Sequence, residues 1–80
     1  MKIEGHEYTV LKGSDIERDG MFLELYLGRE PKGRPLAECF YADADGSLSV
    51  TVYEARVPGA ALAWLEGEGA RMLPPDDRTA

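Results

Sequence analysis

The chain has 80 residues, of which 44% are hydrophobic and 30% charged, and its formal net charge at pH 7 is −6. A chain of this length forms one small domain with a thin core, and its acidic surface repels phosphate groups, which argues against nucleic-acid binding. Cys39 is the only cysteine, so the chain can form neither an intrachain disulfide nor a zinc site built from several cysteines.

The first half of the chain predicts two strands from its alternation of side chains. The segment EYTVLK, residues 7–12, is the first strand, and MFLELYLG, residues 21–28, is the clearest one. Residues 13–20 lie between two glycines and predict a loop. Within it, Ser14 and Glu17 have the spacing of a capping box, which is typical of one helical turn.

Two further strands are predicted after a second loop. Residues 28–35 carry two glycines and two prolines, and proline breaks a central strand, so this segment is a loop. LAECFYA, residues 36–42, is the third strand, and the alternation does not decide which of its faces points inward. SLSVTVYEARV, residues 47–57, alternates cleanly and is the fourth strand.

The aspartate-rich turn between the third and fourth strands resembles part of a calcium loop. An EF-hand loop needs acidic ligands at positions 1, 3 and 5, glycine at 6 and glutamate at 12. Placing Gly46 at position 6 puts Asp43 and Asp45 at positions 3 and 5, but Tyr41 and Val52 then occupy positions 1 and 12. The turn therefore predicts a β-hairpin and no metal site.

The pattern changes to a helical period after residue 57. Pro58 suits the first turn of a helix, and one stripe of small and apolar residues predicts a helix over 58–73. Gly67 and Gly69 each disfavour this helix by about 1 kcal/mol relative to alanine, so an end near Gly67 is the alternative. Gly69 lies on the inner stripe, where it would allow close approach to the sheet. Residues 74–80 predict a polar tail.

These elements predict an α+β fold with two layers. Short connections favour a four-stranded antiparallel meander, and the helix then covers one face of it. We expect residues 1–73 to form this single ββββα domain. The face under the helix should bury alternating apolar residues of the second and fourth strands: Leu23, Leu25, Leu27, Leu48, Val50 and Val52.

The opposite face of the sheet is then predicted to carry Phe22, Tyr26, Tyr53 and either Phe40 or Tyr41. Trp64 also falls off the apolar stripe of the helix. Aromatic side chains on a solvent-facing sheet can simply reflect strand propensity. Monomers rarely expose a large apolar patch, however, and aromatic residues are enriched at interfaces. We therefore expect a binding face, most simply the interface of a symmetric homodimer.

The loop over 28–35 is a basic tip on an acidic chain. It carries Arg29, Lys32 and Arg34, three of the nine lysines and arginines. Such a loop can be merely solvated, or it can contact an anion or an acidic partner. It lacks the strand–GxxxxGK[ST]–helix arrangement of a phosphate-binding loop.

No constellation of residues predicts catalysis. His6 is the only histidine and has no evident partner to position it as a general base. Cys39 lies within a strand, where cysteine is usually a small buried hydrophobe, although a dyad with His6 is the weak alternative. Glu24, Glu38 and Glu54 could converge as an acid/base pair, but strand glutamates in an acidic chain are more often solvated.

The sequence therefore predicts a non-catalytic interaction protein without cofactor, acting as a homodimer or on a protein partner. The alternative is a single-stranded nucleic-acid binder that stacks bases on Phe22, Tyr26 and Tyr53 and neutralises phosphates with the basic loop. The element order over 7–73 is similar to that of a family of single-stranded-DNA-binding coactivators, with no motif shared. No signal peptide or membrane span is recognisable, so we expect a cytoplasmic protein.

Overall fold

A computed structural model of the protein describes residues 1–75 and shows an α+β fold with one antiparallel sheet and one C-terminal helix. The sheet has five strands that neighbour one another in chain order. The elements are β1 (Lys2–Ile3), β2 (His6–Asp15), β3 (Gly20–Leu27), β4 (Ala37–Ala42), β5 (Leu48–Val52) and α1 (Gly59–Met72). The predicted meander and helix are confirmed, whereas the predicted number of strands, four, is wrong by one. Of the predicted tail over 74–80, residues 76–80 lie outside the described residues.

The additional strand is β1, which pairs with the start of β2 through Lys2–Glu7 and Ile3–His6. Glu4 and Gly5 connect the two strands with φ angles of 51° and 84°. Two consecutive residues with positive φ form the tight turn that suits a two-residue hairpin. A strand of two residues contains no alternation, so the sequence pattern could not reveal it.

The β2–β3 hairpin is longer than predicted. Gly13 and Gly20, at the two ends of the predicted loop, both belong to strands. Gly13 pairs with Phe22, and a Cβ at position 13 would collide with the ring of Phe22. A Cβ at Gly20 would collide with the backbone oxygen of Tyr41 and with the ring of Phe40. Both positions therefore favour glycine over any residue with a side chain. The helical turn predicted at Ser14 is wrong, since Ser14 pairs with Met21 in the hairpin.

The aspartate-rich segment forms the predicted hairpin turn between β4 and β5. Gly46 has a φ of 71°, and its N–H donates to the carbonyl of Ala42 at 2.8 Å. The carboxylate of Asp45 accepts the N–H of Ser47 at 2.9 Å. The strand after this turn is shorter than predicted. It ends at Val52 because the N–H groups of residues 53 and 54 both donate to the carbonyl of Leu36.

Helix α1 continues past Gly67 to Met72, so the shorter alternative is wrong. Its contact with the sheet depends on Gly69, which is buried against β4. A Cβ at Gly69 would collide with the Sγ atom of Cys39, whereas a Cβ at Gly67 would meet no atom within 4 Å. The predicted close approach at Gly69 is therefore confirmed.

The core lies between α1 and one face of the sheet, which we call the inner face; the other is the outer face. Each fully buried leucine contributes about 1.5–3 kcal/mol to folding. Two residues that the sequence predicts for this core are not part of it. Leu27 and Val52 lie at the end of the sheet and are 59% and 44% exposed. The buried cluster is Tyr8, Leu23, Leu25, Ala37, Cys39, Ala61, Leu65 and Leu73.

Candidate functional site

The aromatic side chains of the outer face are largely covered by the chain itself. Tyr26 is only 6% exposed, and Phe22 is half-buried with its ring over Gly13. Phe40 pairs with Phe22 and belongs to this face. Tyr41 belongs to the inner face, where it packs against the core. The structure thus identifies Phe40 as the third aromatic residue of the outer face.

Arg18, in the turn between β2 and β3, folds back over the outer face. Its Nη1 and Nη2 atoms donate to the two carboxylate oxygens of Glu38 at 2.9 and 2.8 Å, and its Nε donates to Asp15 at 2.6 Å. The guanidinium carbon lies 4.2 Å from the centre of the Phe40 ring, which is a cation–π distance. Arg18 therefore covers the ring of Phe40 and neutralises two carboxylates at once.

The most unusual group in this cluster is Glu38, a carboxylate whose side chain is 5% exposed. It lies directly opposite Glu24 on β3, and like charges in that position destabilise a sheet. Both charges have donors: Arg18 holds Glu38, and the hydroxyl of Tyr26 donates to Glu24 at 2.8 Å. Two of the three glutamates considered for acid/base chemistry thus converge. Both oxygens of Glu38 accept hydrogen bonds from Arg18.

The four aromatic residues predicted to form one binding face lie in three places. Phe22 and Tyr26 are on the outer face, Tyr53 follows β5 at the end of the sheet, and Trp64 packs against the core from α1 on the other side. The open aromatic patch that motivated a homodimer through the outer face is therefore absent from residues 1–75. Dimerisation through that face stays a prediction.

A different surface has the form of a binding site. A cleft of about 270 Å³ lies beside the core, where β2 begins, β3 ends and the chain enters α1. A second hollow of about 210 Å³ adjoins it, and Leu36 and Glu54 line both. We call the two together the end cleft. Its other lining residues are His6, Tyr8, Leu27, Arg34, Pro35, Tyr53, Arg56, Val57 and Pro58.

The lining of the end cleft is mostly apolar and partly open to solvent. Leu27 is 59% exposed and Tyr53 48% exposed. The one ion pair in the lining joins Arg56 to Glu54 at 3.4 Å, with 88% of the Arg56 side chain exposed. Arg56 lowers the pKa of the Glu54 carboxyl. Such a long and solvated pair contributes little to folding, so it can rearrange when a ligand binds.

The basic loop reaches this cleft through Arg34. Arg29, Lys32 and Arg34 are all exposed, and none forms an ion pair with another residue of 1–75. Arg18, Arg56 and Arg71 each have an acidic partner there. Arg34 lines the smaller hollow. Arg29 lies near the start of β2, where it lowers the pKa of Glu7 in addition to the larger effect of the N-terminal ammonium.

The structure does not bring His6 and Cys39 together. Cys39 is in register with Leu23 and hence with Lys12, and His6 lies six residues further along β2, about 20 Å away at ~3.3 Å per residue. Cys39 is fully buried, as predicted, and burial raises the pKa of its thiol, with smaller contributions from Glu66 and Glu38. A neutral, enclosed thiol is a poor nucleophile.

Within residues 1–75 no group of three or more histidine, cysteine, aspartate or glutamate side chains is placed to hold a metal ion. In the same part of the chain, no helix has the length and apolar character that crossing a membrane requires. Comparison with protein families, curated proteins and solved structures finds no match for this chain. In residues 1–75 the end cleft and the cations beside it are the features that a ligand could use.

Sequence reasoning identified the basic loop but missed the rest of the end cleft. Its apolar lining comes from strand ends and from residues 53–58, where the sequence predicts the end of a strand and the start of a helix. One sequence signal points to it: Glu54 and Arg56 continue the period of Leu48, Val50 and Val52 with charged residues. Arg18 was also missed, because a single arginine in a polar loop does not show which carboxylate it will reach.

Proposed function

We propose that this protein is a non-catalytic binding module whose end cleft holds a segment of a partner protein. In this proposal an apolar side chain of the partner enters the cleft, and acidic residues beside it contact the basic loop. The observation that supports it best is the combination of an open apolar cleft with cations that have no acidic partner in residues 1–75.

The apolar part of the cleft supplies the anchor. Leu27 and Tyr53 expose about half of their surface there, and burying apolar surface contributes about 25 cal/mol per Å². Small ligand sites typically combine an apolar wall with a few polar groups that fix orientation. His6, Glu54 and Arg56 are the polar groups at this wall.

The charges determine which partner fits. The chain has a net charge of −6, so an acidic segment is repelled by most of the surface and attracted near Arg29, Lys32 and Arg34, three cations within six residues. This contrast favours one orientation of an acidic partner and speeds its encounter. Because the loop cations are exposed, the attraction should weaken as salt is added.

Single-stranded nucleic acid remains the second candidate, since phosphates would use the same cations. Of the three aromatic residues predicted to stack bases, only Tyr53 lies at the basic loop. Tyr26 is nearly buried and Phe22 half-buried, so they offer little ring surface to a base. Stacking on exposed rings contributes about 1–3 kcal/mol per base to such binding, and the lack of such rings at Phe22 and Tyr26 argues for the protein partner.

Fluorescence anisotropy with labelled peptides tests the proposal. One panel places a single leucine, valine, phenylalanine or tryptophan between glutamates, and a matched panel has lysines in place of the glutamates. We expect the glutamate panel to bind more tightly and to lose affinity as salt is added. Arg34→Glu should weaken binding by about tenfold, because it removes one attraction and adds one repulsion.

A matched pair of leucines tests the apolar anchor. Leu27→Ser should weaken binding several-fold, because Leu27 lines the cleft. Leu11→Ser should not, because Leu11 is 41% exposed but lies opposite Glu24 on the outer face. The proposal would be overturned if the peptides of both panels failed to bind at low salt. Tighter binding of labelled oligothymidine than of any peptide would favour the nucleic-acid alternative instead.

A further inference from the structure

Strand β5 has a free edge in residues 1–75, where only β4 pairs with it. Residue pairs 53–36 and 42–47 carry hydrogen bonds between the two strands. Because bonded and non-bonded pairs alternate in an antiparallel ladder, Ser49 and Thr51 direct their backbone groups toward β4. Leu48, Val50 and Val52 therefore direct their N–H and C=O groups away from the sheet.

The two edges of the sheet differ in how they are protected. Strand β1 pairs only with His6 and Glu7, and beyond it residues 8–15 of β2 form this edge, which carries the charges of Lys12 and Asp15. Proteins usually protect a sheet edge with charges, proline or a bulge. Residues 47–53 contain no charged residue and no proline, and β5 pairs with β4 without a bulge. This edge can accept another strand.

We propose that two copies of the chain associate along β5, antiparallel, to form one continuous sheet. The twofold axis passes beside Val50, so Val50 of one copy lies opposite Val50 of the other. Leu48 then faces Val52 of the second copy on the inner side, and Ser49 faces Thr51 on the outer side. This dimer differs from one formed through the outer face, and it goes beyond the proposed function, because residues 48–52 do not line the end cleft.

A second copy fits this edge better than an arbitrary strand because the edge is complementary to itself. Apolar residues meet apolar residues, hydroxyls meet hydroxyls, and no like charges lie directly opposite each other in residues 47–53. Such cross-strand pairs each contribute about 0.2–1 kcal/mol.

Sedimentation velocity and hydrogen exchange on the full chain test this dimer. The mass should rise from 8.8 kDa toward twice that value at high micromolar concentration. Ser49→Lys/Thr51→Lys should raise the dissociation constant by about tenfold or more, because lysines then lie opposite each other twice. Ser49→Glu/Thr51→Lys should restore the dimer, because each introduced glutamate faces an introduced lysine. The two variants differ only at position 49, and circular dichroism should show both folded.

Amide exchange distinguishes this dimer from one through the outer face. Only association along β5 protects the N–H groups of Leu48, Val50 and Val52 as the concentration rises. A wild-type chain that stays monomeric at high micromolar concentration would overturn the proposal. A dimer whose β5 amides remain unprotected, or which the two double variants affect equally, would overturn it too. None of these results bears on the end cleft, which is tested by the peptides.

Discussion

Arginine and tyrosine side chains have acidic partners on the outer face, whereas similar side chains at the end cleft are exposed or without such a partner in residues 1–75. On the outer face, Arg18 contacts two carboxylates and a ring, and Tyr26 is bonded to Glu24. At the end cleft, Arg34 has no acidic partner in residues 1–75, and Tyr53 is 48% exposed. The sequence gives each region aromatic residues and arginine, so composition alone cannot separate them.

From this difference we infer that the outer face stabilises the fold, and we propose that the end cleft binds a partner. Every buried side-chain nitrogen and oxygen in residues 1–75 has a hydrogen-bond partner, and the outer face supplies one of the buried groups, Glu38. A face whose groups satisfy one another has little left to offer a ligand. The end cleft offers both apolar surface and charge, and a ligand can gain from each.

Replacing one arginine in each region should separate the two roles most strongly. Arg18→Met leaves the buried carboxylate of Glu38 without its two donors. We expect the free energy of unfolding to fall by about 1–2 kcal/mol. This value lies in the lower part of the range for a buried group that loses its hydrogen-bond partners, because Arg18 is 45% exposed and water can partly replace it. Urea denaturation measures it.

The matched variant is Arg34→Met, in which an arginine without a partner in residues 1–75 is lost. Its free energy of unfolding should stay within about 0.5 kcal/mol of wild type, while its affinity for the glutamate peptides falls. Equal stabilities for the two variants would mean that the Arg18 cluster does not hold the outer face together.

A pair of glycines tests whether the aromatic rings of the outer face are packed in place. Gly13→Ala should lower the free energy of unfolding by about 1 kcal/mol, because the new Cβ displaces the ring of Phe22. Gly67→Ala in the helix meets no neighbouring atom and should raise stability by about 0.5–1 kcal/mol. If Gly13→Ala also stabilised the chain, the ring of Phe22 would be free to move and the face would be open.

The contribution of the Arg18 cluster should depend on pH in a defined direction. Arg18 lowers the pKa of the Asp15 carboxyl from its usual 3.8, so folding favours the ionised form. This contribution is complete above pH 3.8 and is lost as the pH falls through the lowered pKa. The stability difference between wild type and Arg18→Met should therefore be constant near neutral pH and shrink in acid. A difference that grows in acid would contradict this assignment.

The sequence predicted the parts of the fold that depend on periodicity. The alternation in residues 21–27 and 48–52 identified the inner face, and Gly69 on the helical stripe predicted the close approach of the helix to the sheet. The sequence did not predict contacts between residues that are far apart in the chain. Gly13 and Gly20 looked like loop boundaries, because only the paired register shows that aromatic rings lie over them. The end cleft combines strand ends, a loop and the start of the helix, so no single stretch of sequence carries its pattern.

The most direct test of this account is a nuclear magnetic resonance titration of the ¹⁵N-labelled protein with a leucine-containing glutamate peptide. We predict that the shifted amide signals belong to the end cleft and basic loop, at Leu27, Arg34, Leu36 and Val57. Those of Phe22, Glu38 and Phe40 on the outer face should stay unchanged. Shifts concentrated on the outer face would contradict the central claim, because the region whose groups satisfy one another would then be the one that binds.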